Sequence, residues 1–240
     1  MKVGVSLFTV FKYVHVVSGF LSLFIFWIPM VTPKGGKSHI RIGWIYVVSM
    51  ALVALSAVFM GTWRIVADPE KTTISVAFAW FLIFIAILSS SSAWYGIRVL
   101  RLKRRSTVHR HPIDLGVPLL LILSGAAMSL YGYQVQFPLL TWFPLIGLFL
   151  GISQLYYWLR LPKYRLQWWF EHMSGMFTCC IATLTAFAVF GTPRLLEMDD
   201  VPLIIWFLPT ILMLPILITM IAYYQRKFKT EKQSKYDQSL

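Results

Sequence analysis

Residues 73–105, TISVAFAWFLIFIAILSSSSAWYGIRVLRLKRR, decide the fold. Positions 73 to 97 carry no charge. At a rise of about 1.5 Å per residue such a helix reaches about 37 Å, which exceeds the roughly 30 Å of hydrocarbon in a bilayer. Arg98, Arg101, Lys103, Arg104 and Arg105 follow at once, the pattern of a helix leaving lipid on the side where positive loops are retained. The stretch therefore predicts both a membrane crossing and its direction.

Reading outward from it, apolar runs bounded by charge, Pro or Gly fall at 5–31, 42–66, 73–97, 115–135, 138–159, 169–191 and 202–225. The whole chain agrees. Of its 240 residues 58% are apolar and 13% charged, with a mean hydropathy of +0.70, whereas soluble domains sit near about 45–50% apolar and about 25% charged. The fold class this predicts is all-α: a polytopic integral membrane bundle of seven transmembrane helices. A cleavable signal peptide is the alternative for the first run, but no small-x-small site follows, and Trp27, Pro29 and Met30 lead straight into the basic loop.

The net charge of +13 is a topology signal rather than a nucleic-acid signal, because the cations clump between the apolar runs. Lys34, Lys37 and Arg41, the cluster from Arg98 to Arg110, Arg160, Lys163 and Arg165, and the tail cations from Arg226 to Lys235 all fall on one side. Only five of the 22 Lys and Arg fall on the other, together with Asp68, Glu70, Glu197, Asp199 and Asp200. This predicts an N-terminus outside, a C-terminus inside, a membrane domain over residues 1–226 and a polar, unstructured cytoplasmic tail over 227–240. The uncharged link at 133–138 leaves open a hairpin that dips without crossing.

Trp44, Tyr46, Trp63, Trp94, Tyr95, Tyr156 to Trp158, Trp168, Trp169, Tyr223 and Tyr224 gather at the expected boundaries, where amphipathic rings serve as anchors. Gly147 and Gly151 make a GxxxG, and Gly125 with Ser129 a second small-residue pair, faces suited to close helix packing or to a homo-oligomer. Pro202, Pro209 and Pro215 are expected to bend the last helix. Cys179 and Cys180 are adjacent, so they form neither a disulfide framework nor a CxxC pair.

Ionisable groups are costly in hydrocarbon and so mark candidate sites. His15 lies in the first run; Glu171 and His172 open the sixth, about 100° apart around the helix. His39, Ser89 to Ser92, His109, His111, Asp114, Gln154, Glu171 and His172 share one layer on the basic side, enough to line a polar pocket open to the cytoplasm. Ordinary boundary polarity explains such a layer equally well. For His15 the bland alternative is a hydrogen bond to a neighbouring Ser or Tyr.

The segment HVVSGFLSLFIFWIPMVTPKGGKSHIRIGWIYVVSM (15–50) and the segment FEHMSGMFTCCIATLTAFAVF (170–190) resemble a family of bacterial multi-pass membrane proteins known as domain of unknown function 2306. The resemblance implies a bacterial cytoplasmic membrane and brings no catalytic residues. The spacing of His15 and His39 also looks like that of the ascorbate-reducible b-type transmembrane cytochromes, which use paired histidines on four helices; here two of the five histidines lie in a loop.

Three functions compete. One is a transporter, sensor or assembly factor, whose partner is the lipid bilayer and not nucleic acid. A second is a membrane redox protein holding haem b or a metal through His39 and His172, with His15 as a further candidate ligand. The third, resembling membrane ceramidases and receptor-type hydrolases, is a zinc hydrolase with His39, His172 and a loop histidine as ligands and Glu171 as base; the HxxxH pair of such enzymes is absent from the last helix. The sharpest expectation is that His39 and His172 share one ligand.

Overall fold

The computed structural model describes residues 2–197 and 201–237. Among the described residues every regular element is helical and none is a strand. Seven helical segments are long and apolar enough to cross a membrane: Leu7–Val31, Lys37–Val66, Thr73–Leu102, Pro112–Gln134, Pro138–Leu159, Gln167–Gly191 and Leu203–Phe228. The all-α, seven-helix reading holds. Asp199 and Asp200 of the expected acidic loop lie outside the described residues.

Two spans are broken where the sequence reading had them continuous. The first divides into α1 (Lys2–Ile25) and a one-turn α2 (Ile28–Val31). The fifth divides into α6 (Pro138–Trp142) and α7 (Leu145–Leu159), parted at Phe143 and Pro144. Proline lacks the N–H that a continuous ladder needs at that point. Between α2 and α3 (Lys37–Val66) the chain turns through Gly35, whose φ of +79° suits only glycine.

Met1–Thr183 form one unit and Leu184–Leu240 a second. In the first, α4 (Thr73–Arg98) is the hub. Thr72 and Ser75 cap it reciprocally, Thr72 Oγ1 accepting from the Ser75 amide and Ser75 Oγ from the Thr72 amide. At its far end it tightens into a 3₁₀ turn, Val99–Leu102. Small residues bring its neighbours close. A Cβ on Gly61 of α3 would lie 2.8 Å from Ile83, and one on Gly147 of α7 2.8 Å from Phe84. One on Gly175 of α8 (Gln167–Ala186) would lie 2.9 Å from both Gly96 Cα and Ser92 O.

The small-residue faces expected to serve a homo-oligomer are taken up inside the chain. A Cβ on Gly151 would sit 2.9 Å from Pro118 O of α5 (Pro112–Gln134), and one on Gly125 would sit 3.0 Å from Pro144 O. Ser129 Oγ donates to Thr141 O across the same interface. These glycines therefore serve packing within the chain. What the helices turn outward instead is apolar bulk such as Phe149, 70% exposed, and Leu123, 65% exposed. That is the surface a lipid environment would cover.

Within the second unit, α8 continues as a π-helical segment, Phe187–Gly191, followed by α9 (Thr192–Leu195) and α10 (Leu203–Asp237). Pro209 and Pro215 are accommodated inside α10 without ending it. The tail expected to be unstructured continues α10 as far as Asp237; adding residues to an existing helix avoids the nucleation cost that a separate helix would meet.

Candidate functional site

The basic loops of the first unit meet at one end of it. Arg105 of the loop after α4 donates to the carbonyls of Trp158 and Tyr157 at the end of α7, each at 2.7 Å. Lys103 Nζ lies 4.7 Å above the Trp168 ring at the start of α8. His39, near the start of α3, stands beside His172. The polar layer expected from the sequence is thus assembled, and three constellations within it can be told apart.

The first is a clamp. Asp114, in the first turn of α5 and only 1% exposed, accepts from Arg98 Nε through both carboxylate oxygens at 2.8 and 2.9 Å. His109 Nε2 lies 2.6 Å from Asp114 Oδ2, and His111 Nδ1 lies 3.7 Å away. His109 also donates its backbone N–H to Trp158 O at 3.0 Å. His109, a loop histidine in the sequence, is tied by the structure to a buried carboxylate. The His109 backbone N–H on Trp158 O, 49 positions away, holds the loop in that place.

The second is a cleft. Glu171 Oε2 accepts from the Tyr95 hydroxyl at 2.7 Å, and Oε1 from Gln167 Nε2 at 3.1 Å. Gln167 is itself oriented by the Lys163 amide, which donates to its Oε1 at 2.8 Å. Beside this carboxylate lies a cleft of about 70 Å³, lined among others by Ser92, Gln154, Ser174 and Thr178 from α4, α7 and α8. Ser92 Oγ spends its proton on Leu88 O, and Thr178 Oγ1 spends its proton on Ser174 O. The Gln154 carbonyl oxygen accepts from Ser91. Hydroxyls whose protons are so engaged offer lone pairs, so the few polar groups in this mostly apolar wall present acceptors together with the Gln154 amide N–H groups.

The third is the histidine pair. His172 Nδ1 lies 2.7 Å from Gly96 O, and His39 Nδ1 lies 3.0 Å from Pro29 O. A carbonyl only accepts, so each Nδ1 carries a proton and each neutral ring keeps its Nε2 lone pair free. The ring centroids are 6.3 Å apart at an interplanar angle of 71°. Two imidazoles on opposite sides of one ion, with bonds of about 2.0–2.1 Å and nitrogens about 1.1 Å from their centroids, would stand about 6.3 Å apart. The spacing is at the outer limit for one shared ion. Both acceptors exist for local reasons: Pro29 sits in a one-turn helix with free terminal carbonyls, and Gly96 lies where Gly175 admits α8 closely.

Lys34 shares the Pro29 carbonyl at 2.9 Å and reaches Met30 O at 2.5 Å. Burial among these groups lowers its ammonium below the usual lysine range. Tyr164, beyond α7, is raised above the usual tyrosine range by burial and by the Glu171 charge.

His15 stands apart from the pair. Its Nδ1 lies 3.1 Å from Val53 O and 3.0 Å from Ser56 Oγ on α3, the bland hydrogen-bonded arrangement, and it does not join His39 and His172. No group of three or more His, Cys, Asp or Glu able to hold a metal assembles among the described residues. The three-histidine zinc set with Glu171 as base is therefore not formed, since Asp114 and Trp158 hold the loop histidine His109 elsewhere. Neither the cleft beside Glu171 nor a larger one over residues 102–105 reaches the histidine pair.

Sequence reasoning missed Tyr95, Tyr157 and Trp158, which it took for boundary anchors. All three are buried, Tyr95 only 5% exposed. A signal for Gln167 was present in its i,i+4 spacing to Glu171; none was present for Tyr95, because its partner lies 76 positions away. Compared with family models, with curated proteins and with solved structures, the chain finds no match in any of the three.

Proposed function

We propose that this chain is a multi-pass protein of a bacterial cytoplasmic membrane, N-terminus outside and C-terminus inside, that works as a transporter or sensor by binding a small monovalent cation or a proton beside Glu171. The likeness to domain of unknown function 2306 belongs to the same reading. The observation that carries it is the small cleft that opens directly on the Glu171 carboxylate. A carboxylate in an apolar helix is expensive, and Glu171 is given only neutral donors, Tyr95 and Gln167, so its charge has no resident counter-ion there. A space of about 70 Å³ suits an ion with one or two waters, and hard oxygen donors suit alkali cations or a proton better than soft metals. The test is thermal unfolding of the purified protein in sodium, potassium or choline chloride across pH. Stabilisation by one cation or by acid that disappears in Glu171→Gln is expected. An unfolding temperature indifferent to cation and pH, or the same response in the variant, would overturn the reading.

A second reading, a metal-binding membrane protein, is favoured by the two free Nε2 atoms of His39 and His172. Nδ1 to carbonyl bonding is how ligating imidazoles are commonly oriented. Metal analysis and visible absorbance of the purified protein, with His39→Ala and His172→Ala alongside, separate it from the first. A stoichiometric ion lost in either variant supports it, and metal content unchanged by both removes it.

A further inference from the structure

At the same end of the first unit lies a larger hollow of about 350 Å³, between the loop after α4 and the loop joining α7 to α8, whose wall shares no residue with the Glu171 cleft. Lys103, Arg104, Arg105 and Arg165 line it with Tyr164 and Trp168, and no carboxylate belongs to its wall. Four cations drawn together with no acid among them repel one another, an arrangement that an anion relieves. Their environments differ in a way that matters. Arg105 is fixed, its terminal nitrogens on two carbonyls and its guanidinium 4.5 Å from the Tyr157 ring centre. Its Nε is buried with no hydrogen-bond partner, and orphaned buried donors call for an occupant. Lys103 is steadied over Trp168. Arg104 and Arg165 are exposed and make no hydrogen bond or ion pair with any described residue. Two guanidiniums are thus free to grip oxyanions in pairs.

We infer that this hollow is a binding site for a phosphate-bearing anion, with a phospholipid headgroup as its main source. Three features favour the lipid over a free phosphate. The hollow opens at the end of spans able to cross a membrane, where basic pockets between helices meet anionic headgroups. Leu159 and Leu161, in the chain between the lining residues Tyr157 and Pro162, are 45% and 57% exposed and offer apolar surface along which acyl chains can run. Trp168 supplies an amphipathic ring at the rim. Glu171 is not part of the hollow's wall, so a protein that fails to bind cations there can still hold the headgroup.

The test uses the full-length protein in neutral detergent, titrated with a short-chain phosphatidylglycerol, with phosphatidylcholine of equal chain length, and with inorganic phosphate, binding being read by native mass spectrometry. Phosphatidylglycerol is expected to bind in preference to phosphatidylcholine, and Arg104→Gln with Arg165→Gln to weaken it by at least about tenfold. Both positions are exposed, so the double variant is expected to fold. The control Lys37→Gln with Arg41→Gln removes the same charge outside the hollow and is expected to leave binding unchanged. Inorganic phosphate binding lost in the Arg variant would support the site with a free phosphate as its source. Equal affinity for the two lipids together with no phosphate binding, an unaffected Arg variant, or equal losses in the control would each overturn the proposal.

Discussion

Asp114 and Glu171 are two carboxylates in one layer of the same unit, yet their surroundings differ. Asp114 is met by the Arg98 guanidinium on both oxygens and by His109 on one of them. Glu171 meets only a phenol and an amide. A carboxylate matched by a cation inside the fold is a fastener: it holds the end of α4 to the start of α5 and needs nothing more. One matched only by neutral dipoles is oriented without being neutralised, which keeps a place for a cation from outside. Partner charge, more than depth, distinguishes the two carboxylates.

The comparison breaks most visibly at Asp114. Replacing it with Ala leaves Arg98 and His109 facing a void where their counter-charge stood, and removing one partner of a buried pair costs about 3–5 kcal/mol. We expect a marked fall in the unfolding temperature and in the yield of monodisperse protein. A variant as stable as the wild type would show that Asp114 is no fastener.

Tyr95→Phe removes one interhelical hydrogen bond and leaves the ring packed against Tyr157 and Trp158. Such bonds in membrane proteins average about 0.6 kcal/mol and reach about 1.7. The expected outcome is a small stability loss together with a shift in cation affinity, because the Glu171 carboxylate loses a donor that orients it. A stability loss with no such shift would reduce Tyr95 to packing.

Glu171→Gln keeps the shape and both neighbours while removing the charge. Its stability is expected to stay within about 0.5 kcal/mol of the wild type or to rise, since an uncompensated charge leaves the bundle. Destabilisation as large as that of Asp114→Ala, measured in the same detergent, would erase the contrast between the two carboxylates.

Lys34 offers the smallest and finest test, as a cation held only by carbonyls. Burial lowers its pKa, so in the window between the lowered value and the usual lysine value the unfolded chain binds more protons than the folded one. Stability therefore rises with pH through that window. Competitive acylation followed by mass spectrometry should place the Lys34 midpoint below the ordinary lysine range, and Lys34→Met should flatten this part of the stability profile. A midpoint at or above the ordinary value would contradict the burial.

The candidate site was legible in part. Glu171 and His172 stand out in the sequence because charge is rare in apolar runs, and the structure does bring His39, from the basic link before the second run, beside His172. Glu171 and His172 diverge around α8, yet both reach α4, at Tyr95 and Gly96, because Gly175 lets the two helices approach closely enough to serve adjacent positions. His15 looked equally notable and is a hydrogen-bonded core group. Nothing local distinguishes these cases, since each depends on which helix face meets which neighbour.

What the sequence alone determined is the set of seven apolar spans and the gathering of cations in particular loops. Hydrocarbon leaves a spanning segment no choice but to satisfy its backbone within itself, so span length and composition can be read residue by residue. Only the tertiary structure decided that Tyr95 turns inward to Glu171, that the GxxxG of α7 is spent on α4 and α5, and that His109 folds back on Asp114. Those outcomes rest on helix rotation and close approach. Both are set by the fit of small residues against neighbours far away in the chain, where no local pattern records them.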